Sequence, residues 1–531
     1  MEFTLGTLDL SIIIFYLVFV TGLGFYFGTK HKDAEDYFLA GRNLTWPIIG
    51  FSLFASNMSS NSLVGLAGAG YKDGFSVYSY EWMAVVILII FAIFFLPFYL
   101  RNKIFTIPEY LEKRYSYKVR AYASAIAIIL NILVDIAATL YAGALVIQLI
   151  FPSLSLSMII FGIAIIAGIY TVAGGLSSVM YTDAIQAVIL IFGSTLITYF
   201  SYQAAGGWDA VYAITDPSHF DVIKPIDDPV MPWPSLIGVL IIGFYFWGTN
   251  QYITQRTLAS RNLKQGQWGA LFAGFLKLSI LFIMIFPGAF ARVLYPDMTE
   301  MDMIYPTMLF DLLPTGVLGI VLAGLIAAMM SSLDSGLNSV STLITMDFYQ
   351  KWYGDEKEGD AHSSSRLMWV GRGITVVVMV MAVIWAPQIG TFEKLWDYLQ
   401  NTLAWFCPPV VALFVMGIFT KKVNNTGALL SIGVGLLITV ALISMEISGQ
   451  REALPNFLYV AGIHFGICAL LLWFGSMGGE QKPEAELAQL VWTTDTYRAD
   501  AKVLDALPWY KNYIYQGIAL VVVLIIILIL Y

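Results

Sequence analysis

A chain of 531 residues with 58% hydrophobic and only 12% charged residues lies far outside soluble domains, in which about a quarter of residues are charged. Its mean hydropathy of +0.75 excludes a soluble globular domain and a disordered chain. The net charge of −8 is spread over loops and gives no basis for a nucleic-acid partner.

Apolar runs of about 20 residues predict membrane helices rather than barrel strands. The first, 8–28, has no preceding basic segment and no small-residue cleavage site, so it reads as a retained span rather than a signal peptide. The runs 45–70, 76–100, 120–149, 155–173, 180–204, 234–254, 267–293, 314–346, 367–386, 395–419, 424–445, 455–475 and 511–530 follow. Numbered in order, they make about 14 spans of an all-α membrane protein with a single transmembrane domain, 1–531. Basic residues gather in alternate loops: Lys30, Lys32 and Arg42 after span 1; Arg101, Lys103, Lys113, Arg114, Lys118 and Arg120 after span 3; Arg256, Arg261 and Lys264 after span 7; Lys421 and Lys422 after span 11. Those loops are predicted to be cytoplasmic, which puts both termini outside a plasma (inner) membrane. The longest polar interval, 476–510, becomes a cytoplasmic loop before the last helix.

Catalysis has no visible carrier, because no HExxH, phosphate loop or Ser–His pairing occurs. The chain is not read as an enzyme. Cys407 and Cys468 fall in apolar runs and read as packing residues, and the four histidines form no ligand cluster.

Polar chemistry enters the spans at three places. Span 2 carries "FASNMSSNSLVG" (54–65), followed by the glycine-rich end of "GLAGAG"; span 7 carries "FYFWGTNQY" (244–252); span 9 carries "MSSLDSGLNSVST" (330–342). Spacing in the last predicts that Ser331, Asp334, Ser335 and Asn338 share one helical face. Small polar residues are common wherever membrane helices pack closely, so each interruption alone is ordinary. Together they differ. Spans 2 and 7 lie five apart and cross in opposite directions, as do the first helices of two inverted five-helix repeats whose broken helices face a midplane site.

Ionisable groups inside spans cost about 2.5–3.5 kcal/mol each and usually face a partner or a wet path. Glu81, Asp135, Lys277 and Asp334 lie there. Glu81 and Lys277 either neutralise each other as a static pair or hydrogen-bond a hydroxylated solute; Asp135 fits packing, a hydrated cavity or a functional role. A hard cation such as sodium wants several oxygens, which an unwound helix and serine hydroxyls supply without fixed charge.

The stretches "DYFLAGRNLTWP", "SLFASNMSS", "SYEWMA", "IPEYLEKRY", "GGLSSVMYTDAIQ", "YFWGTNQYITQRTLA", "FLKL" and "SSLDSGLNSVSTLITMDFY" occur in order over at least residues 35–475. In them the chain resembles the sodium/solute symporter family, and most closely its sodium/glucose and sodium/galactose cotransporter branch. The resemblance implies the leucine-transporter fold: repeats at 45–204 and 234–419 related by inversion, an extra N-terminal helix 8–28, and three extra C-terminal helices within 424–475 and 511–530. It implies a sodium ion held by the carbonyls of Ala55, Met58 and Ala328 and the hydroxyls of Ser331 and Ser332. Sugar hydroxyls would meet Asn57, Glu81, Lys277 and Gln400, with aromatic contact from Trp247 and an outer hydrophobic gate of Tyr80 and Trp396.

Departures from the pattern bear on substrate choice. Ser62 stands where relatives carry a longer Gln or His, Gly243 where they carry Asn, and Phe246 where they carry a stacking Tyr, with Tyr245 beside it. Members that move two sodium ions place hydroxyls one turn beyond the shared site and an acid in span 6, and this chain has Asp183, Ser331, Asp334 and Ser335 there. The implied function is sodium-coupled import of a hexose by alternating access, with two ions. The alternatives are a polyol such as inositol, another small organic solute, or a passive channel or sensor on the same fold.

Overall fold

The computed structural model describes residues 5–28, 33–353, 361–391, 395–450, 454–494, 504 and 507–531. Among the described residues every regular element is helical, with two isolated bridges as the exceptions. Lys30, Lys32 and residues 495–503 of the loop before the last helix lie outside the described residues.

Among the described residues eleven helices are long and apolar enough to cross a membrane, and the bent pair Trp233–Thr249 and Gln251–Leu258 makes twelve. The expected fourteen are recovered once two breaks are counted. Span 2 is cut between Trp46–Asn57 and Ser60–Asp73, and its second half runs through the tight turn Gly74–Tyr78 into span 3. Spans 5 and 6 join as Leu156–Ala205, kinked at Gly175, whose φ of +54° and approach to Tyr37 O (2.7 Å from a would-be Cβ) require glycine.

The loops sort onto two ends. At one end Arg42 Nη2 donates to Ile104 O (2.9 Å), Leu44 N to Ala259 O (3.1 Å) and Arg114 Nη2 to Val423 O (2.9 Å), joining the basic loops after spans 1, 3, 7 and 11. Residues of the 476–494 segment lie there too, since Tyr110 Oη donates to Leu490 O at 2.8 Å and Trp492 N to Ile418 O at 2.8 Å. At the other end Val222 N bonds Tyr531 O (3.2 Å), beside the loop after span 6, and Asp9 accepts from Gly316 N (2.6 Å) and Gly319 N (2.8 Å). The predicted alternation of loops therefore holds.

Span 9, Val317–Leu343, is the most enclosed of the described spans, whereas spans 1, 10, 12, 13 and 14 bury a third or fewer of their residues. Outward apolar side chains such as Leu437 and Ile529 around buried polar ones such as Ser331 and Asp183 invert the pattern of a water-soluble protein. The chain is a multi-pass membrane protein.

Candidate functional site

Span 2 breaks because its own polar side chains compete for the backbone. Met58 (φ −87°, ψ 70°) and Ser59 (ψ 174°) leave the helical region, and the last helical bond runs from Met58 N to Phe54 O at 3.0 Å. Ser62 Oγ donates to Asn57 O (3.0 Å), Asn61 Oδ1 accepts from Ser62 N (2.9 Å), and Ser60 Oγ donates to Thr139 O (3.0 Å). Among the carbonyls that a helix end leaves open, Ser56 O accepts from Tyr252 Oη (2.5 Å) and Ser332 Oγ (3.2 Å). Ala55 and Met58 sit at this same break, which Ser332 thus ties to span 9.

Span 7 breaks where predicted. The wide turn Tyr245–Thr249 ends at Asn250, whose extended backbone (φ −75°, ψ 123°) and side chain, accepting from Tyr252 N at 3.0 Å, start the half-helix Gln251–Leu258 with a bend of 44°. The two breaks face a cavity of about 100 Å³. Its walls include Asn57, Ser62, Tyr80, Glu81, Phe246 and Trp247, and Lys277, Trp396 and Gln400 complete the expected set around it.

Within that cavity Lys277 Nζ donates to Glu81 Oε2 and to Asn57 Oδ1, and stands 5.3 Å from the centroid of Trp247. Glu81 and Lys277 are buried, so the pair is charge-balanced and little screened. Tyr80 and Trp396 meet edge to face with centroids 5.3 Å apart. Gln400 is buried and its Oε1 has no partner among the described residues. Ser62 lines the cavity but spends its hydroxyl on the break. Gly243 lines the cavity, and a Cβ there would stand 2.6 Å from Ile87 Cδ1, the movable end of that side chain. Tyr245, next to Phe246, is fully buried away from the walls. Asp135, left open above, lines the cavity with Thr139 and Tyr252.

Of the expected ion residues, Ser331, Ser332, Ser335 and Asp183 meet Ser56. Its Oγ lies 3.2 Å from Ser331 Oγ, 3.1 Å from Ser335 Oγ and 3.1 Å from Asp183 Oδ2, and Ala328 lies one turn before Ser331 and Ser332 on span 9, buried. Asp334 Oδ1 accepts from Thr171 Oγ1 on span 5. Asp334 and Ser335 point about 100° apart on the one stripe, so that face touches span 5 through Asp334 and span 2 through Ser331 and Ser335.

Sequence reasoning counted Arg256 among loop charges. It is instead buried in the half-helix after the span 7 break. Nε donates to Ser52 Oγ (2.9 Å), Nη2 to Ser56 Oγ and Ser335 Oγ, and Nη2 lies 3.4 Å from Asp183 Oδ2. The available signal was its place six residues beyond Asn250, too close to the break to reach a loop.

The family model described as the sodium:solute symporter family matches residues 37–435. The chain is 33% identical to sodium/glucose cotransporter 4 of Danio rerio, over 96% of this chain and 84% of that one. It is 35% identical to a sodium/glucose cotransporter of Vibrio parahaemolyticus (84% and 87% covered) and 34% identical to sodium/myo-inositol cotransporter 2 of Bos taurus (83% and 71%). A solved structure of a Na+-coupled sialic acid symporter, substrate-bound and outward-open, superposes with a TM-score of 0.77 at 23% identity, covering 90% of this chain and 99% of that one. The two share a fold, the leucine-transporter fold that the family resemblance implied.

Proposed function

The chain belongs to the sodium:solute symporter family, and we propose that it imports a neutral, hydroxyl-rich solute, a hexose such as glucose or galactose, together with sodium by alternating access. The observation that carries this reading is the cavity's charge balance. Lys277 is already engaged by Glu81 and Asn57, so a carboxylate solute finds no uncommitted cation among the walls and meets Asp135 as well. A hydroxylated solute finds acceptors in Glu81 and Gln400, a donor in Lys277, and apolar faces in Phe246 and Trp247.

In this reading the carbonyls of Ala55, Met58 and Ala328 and the hydroxyls of Ser331 and Ser332 hold sodium, Asn57 and Ser62 border the solute, and Tyr80 and Trp396 close its outer side. Residues 45–204 and 234–419 form the inverted repeats, with 8–28, 424–475 and 511–530 as additions. Both termini face outward from the plasma membrane, and the basic end faces the cytoplasm. Sodium binding ties span 9 to the span 2 break and favours the outward-open state, which raises affinity for the solute.

A polyol such as inositol is the second reading, favoured by the short reach of Ser62 and Gly243 and by the similarity to a myo-inositol cotransporter. A panel of sugars and polyols, tested with the purified protein in liposomes with and without a sodium gradient, separates the two. Uptake of a hexose against its gradient only with inward sodium supports the first reading. Equilibration independent of sodium would overturn both in favour of a passive channel.

A further inference from the structure

Arg256 stands inside the ring of oxygens that a second coupling cation would need. Its donors reach Ser52 Oγ, Ser56 Oγ, Ser335 Oγ and Tyr252 O, beside Asp183 Oδ2. These groups come from the half-helix Trp46–Asn57, from span 6 beyond its kink, from the half-helix Gln251–Leu258 and from span 9. Hydroxyl, carbonyl and carboxylate oxygens are also what a hard cation selects.

Asp183 brings a carboxylate and Arg256 a guanidinium, one negative and one positive charge. Asp183 Oδ2 also accepts from Ser52 Oγ (2.5 Å) and Ser56 Oγ (3.1 Å), and its side chain is fully buried. A sodium ion on these same oxygens would face the guanidinium without intervening water, with one carboxylate for two cations. The hydroxyls of Ser56 and Ser335, moreover, already accept from Nη2.

Resting on the sodium-symport reading, we propose that Arg256 is a tethered cation in the place of a second sodium ion, so that each transport cycle carries one sodium, bound by Ala55, Met58, Ala328, Ser331 and Ser332. The consequence is energetic. With 100 mV and a tenfold sodium gradient, one ion limits solute accumulation to about 500-fold, where two would allow about 10⁵-fold. Because the cation is covalently attached to the half-helix that follows Phe246 and Trp247, sodium concentration does not control its presence, and activation by sodium is hyperbolic.

Equilibrium binding of radiolabelled sodium alone to the purified full chain tests this. The unaltered protein is expected to bind one sodium per chain, and Arg256→Lys, which keeps the charge, also one. Arg256→Gln vacates the ring and leaves Asp183 unpaired, so it is expected to bind two. The double variant Asp183→Asn/Arg256→Met removes both charges and returns the count to one. Two sodium ions in the unaltered chain would overturn the assignment whether or not any variant folds, as would a single ion in a folded Arg256→Gln. Absence of saturable sodium binding in the unaltered chain would overturn the symport reading itself, and this inference with it.

Discussion

Gln400 keeps the spare hydrogen-bonding capacity that a solute can use. Its Oε1 is buried without a partner among the described residues, a state that costs about 1–3 kcal/mol until a donor arrives. Gln400→Ala is therefore expected to raise the apparent KM for the transported solute about tenfold, the equivalent of ~1.4 kcal/mol, while leaving sodium binding alone; an unchanged KM would remove Gln400 from the solute site. Glu81 differs in kind. Glu81→Ala leaves a buried ammonium without its counter-charge, a loss of about 3–5 kcal/mol, so both solute affinity and thermal stability should fall, and a normal melting temperature with normal uptake would discard the pair as a site element. Of four residues that line one cavity, Asn57 was legible from the polar interruption of span 2, Glu81 and Lys277 as ionisable groups inside spans, and Gln400 only through the family resemblance. Arg256 was not, because its role depends on Asp183, distant by 73 residues and brought near only by the packing of span 6.

At the scale of elements, the half-helix Ser60–Asp73 is positioned by glycine contacts rather than by bulky packing. A Cβ on Gly288 would stand 2.2 Å from Ala67 O and 2.7 Å from Tyr71 N, and one on Gly70 would stand 2.8 Å from Ile285 O, so helix Phe286–Leu294 lies backbone to backbone against it. Gly288→Ala must push the two apart. It is expected to cost about 1–3 kcal/mol and, because Asn61 and Ser62 ride on the displaced half-helix, to weaken solute uptake as well. A melting temperature in detergent equal to that of the unaltered protein would contradict the close approach. The breaks in spans 2 and 7 were readable as polar clusters, yet their consequence for counting was not: one break divides span 2 and lets its second half continue into span 3. Charge counting placed the basic loops on one end correctly, but Arg114 and Arg120 serve there as buried structural groups, the first on the carbonyls of Gly417, Thr420 and Val423, the second on Asp347 at 2.5 Å. Hydropathy cannot separate a charge in water from one folded back under a helix end.

For the whole molecule, the proposed ion and solute positions share a single mechanical joint. The residues Ala55, Ser56, Asn57 and Met58 form one turn at the end of a half-helix, with Ser56 O held by Ser332 of span 9 and Tyr252 of span 7 and with Asn57 Oδ1 held by Lys277 of span 8. Ordering this turn for sodium orders it for the solute, because the carbonyls proposed for one and the amide proposed for the other cannot move independently over so few bonds. Linkage then requires that the factor by which sodium tightens solute binding equal the factor by which solute tightens sodium binding. Coupling free energies of about 1–3 kcal/mol predict a five- to 150-fold effect in each direction. Ser332→Ala removes both a proposed sodium ligand and the bond to Ser56 O, and is expected to weaken sodium binding and to bring both factors toward one, with the solute affinity at zero sodium nearly unchanged. Titrations of solute at fixed sodium, and of sodium at fixed solute, check this on the same preparation. If Ser332→Ala kept the full mutual enhancement, the joint at Ser56 would not be the element that couples the two sites, and coupling would have to run through a different contact between spans 2 and 9.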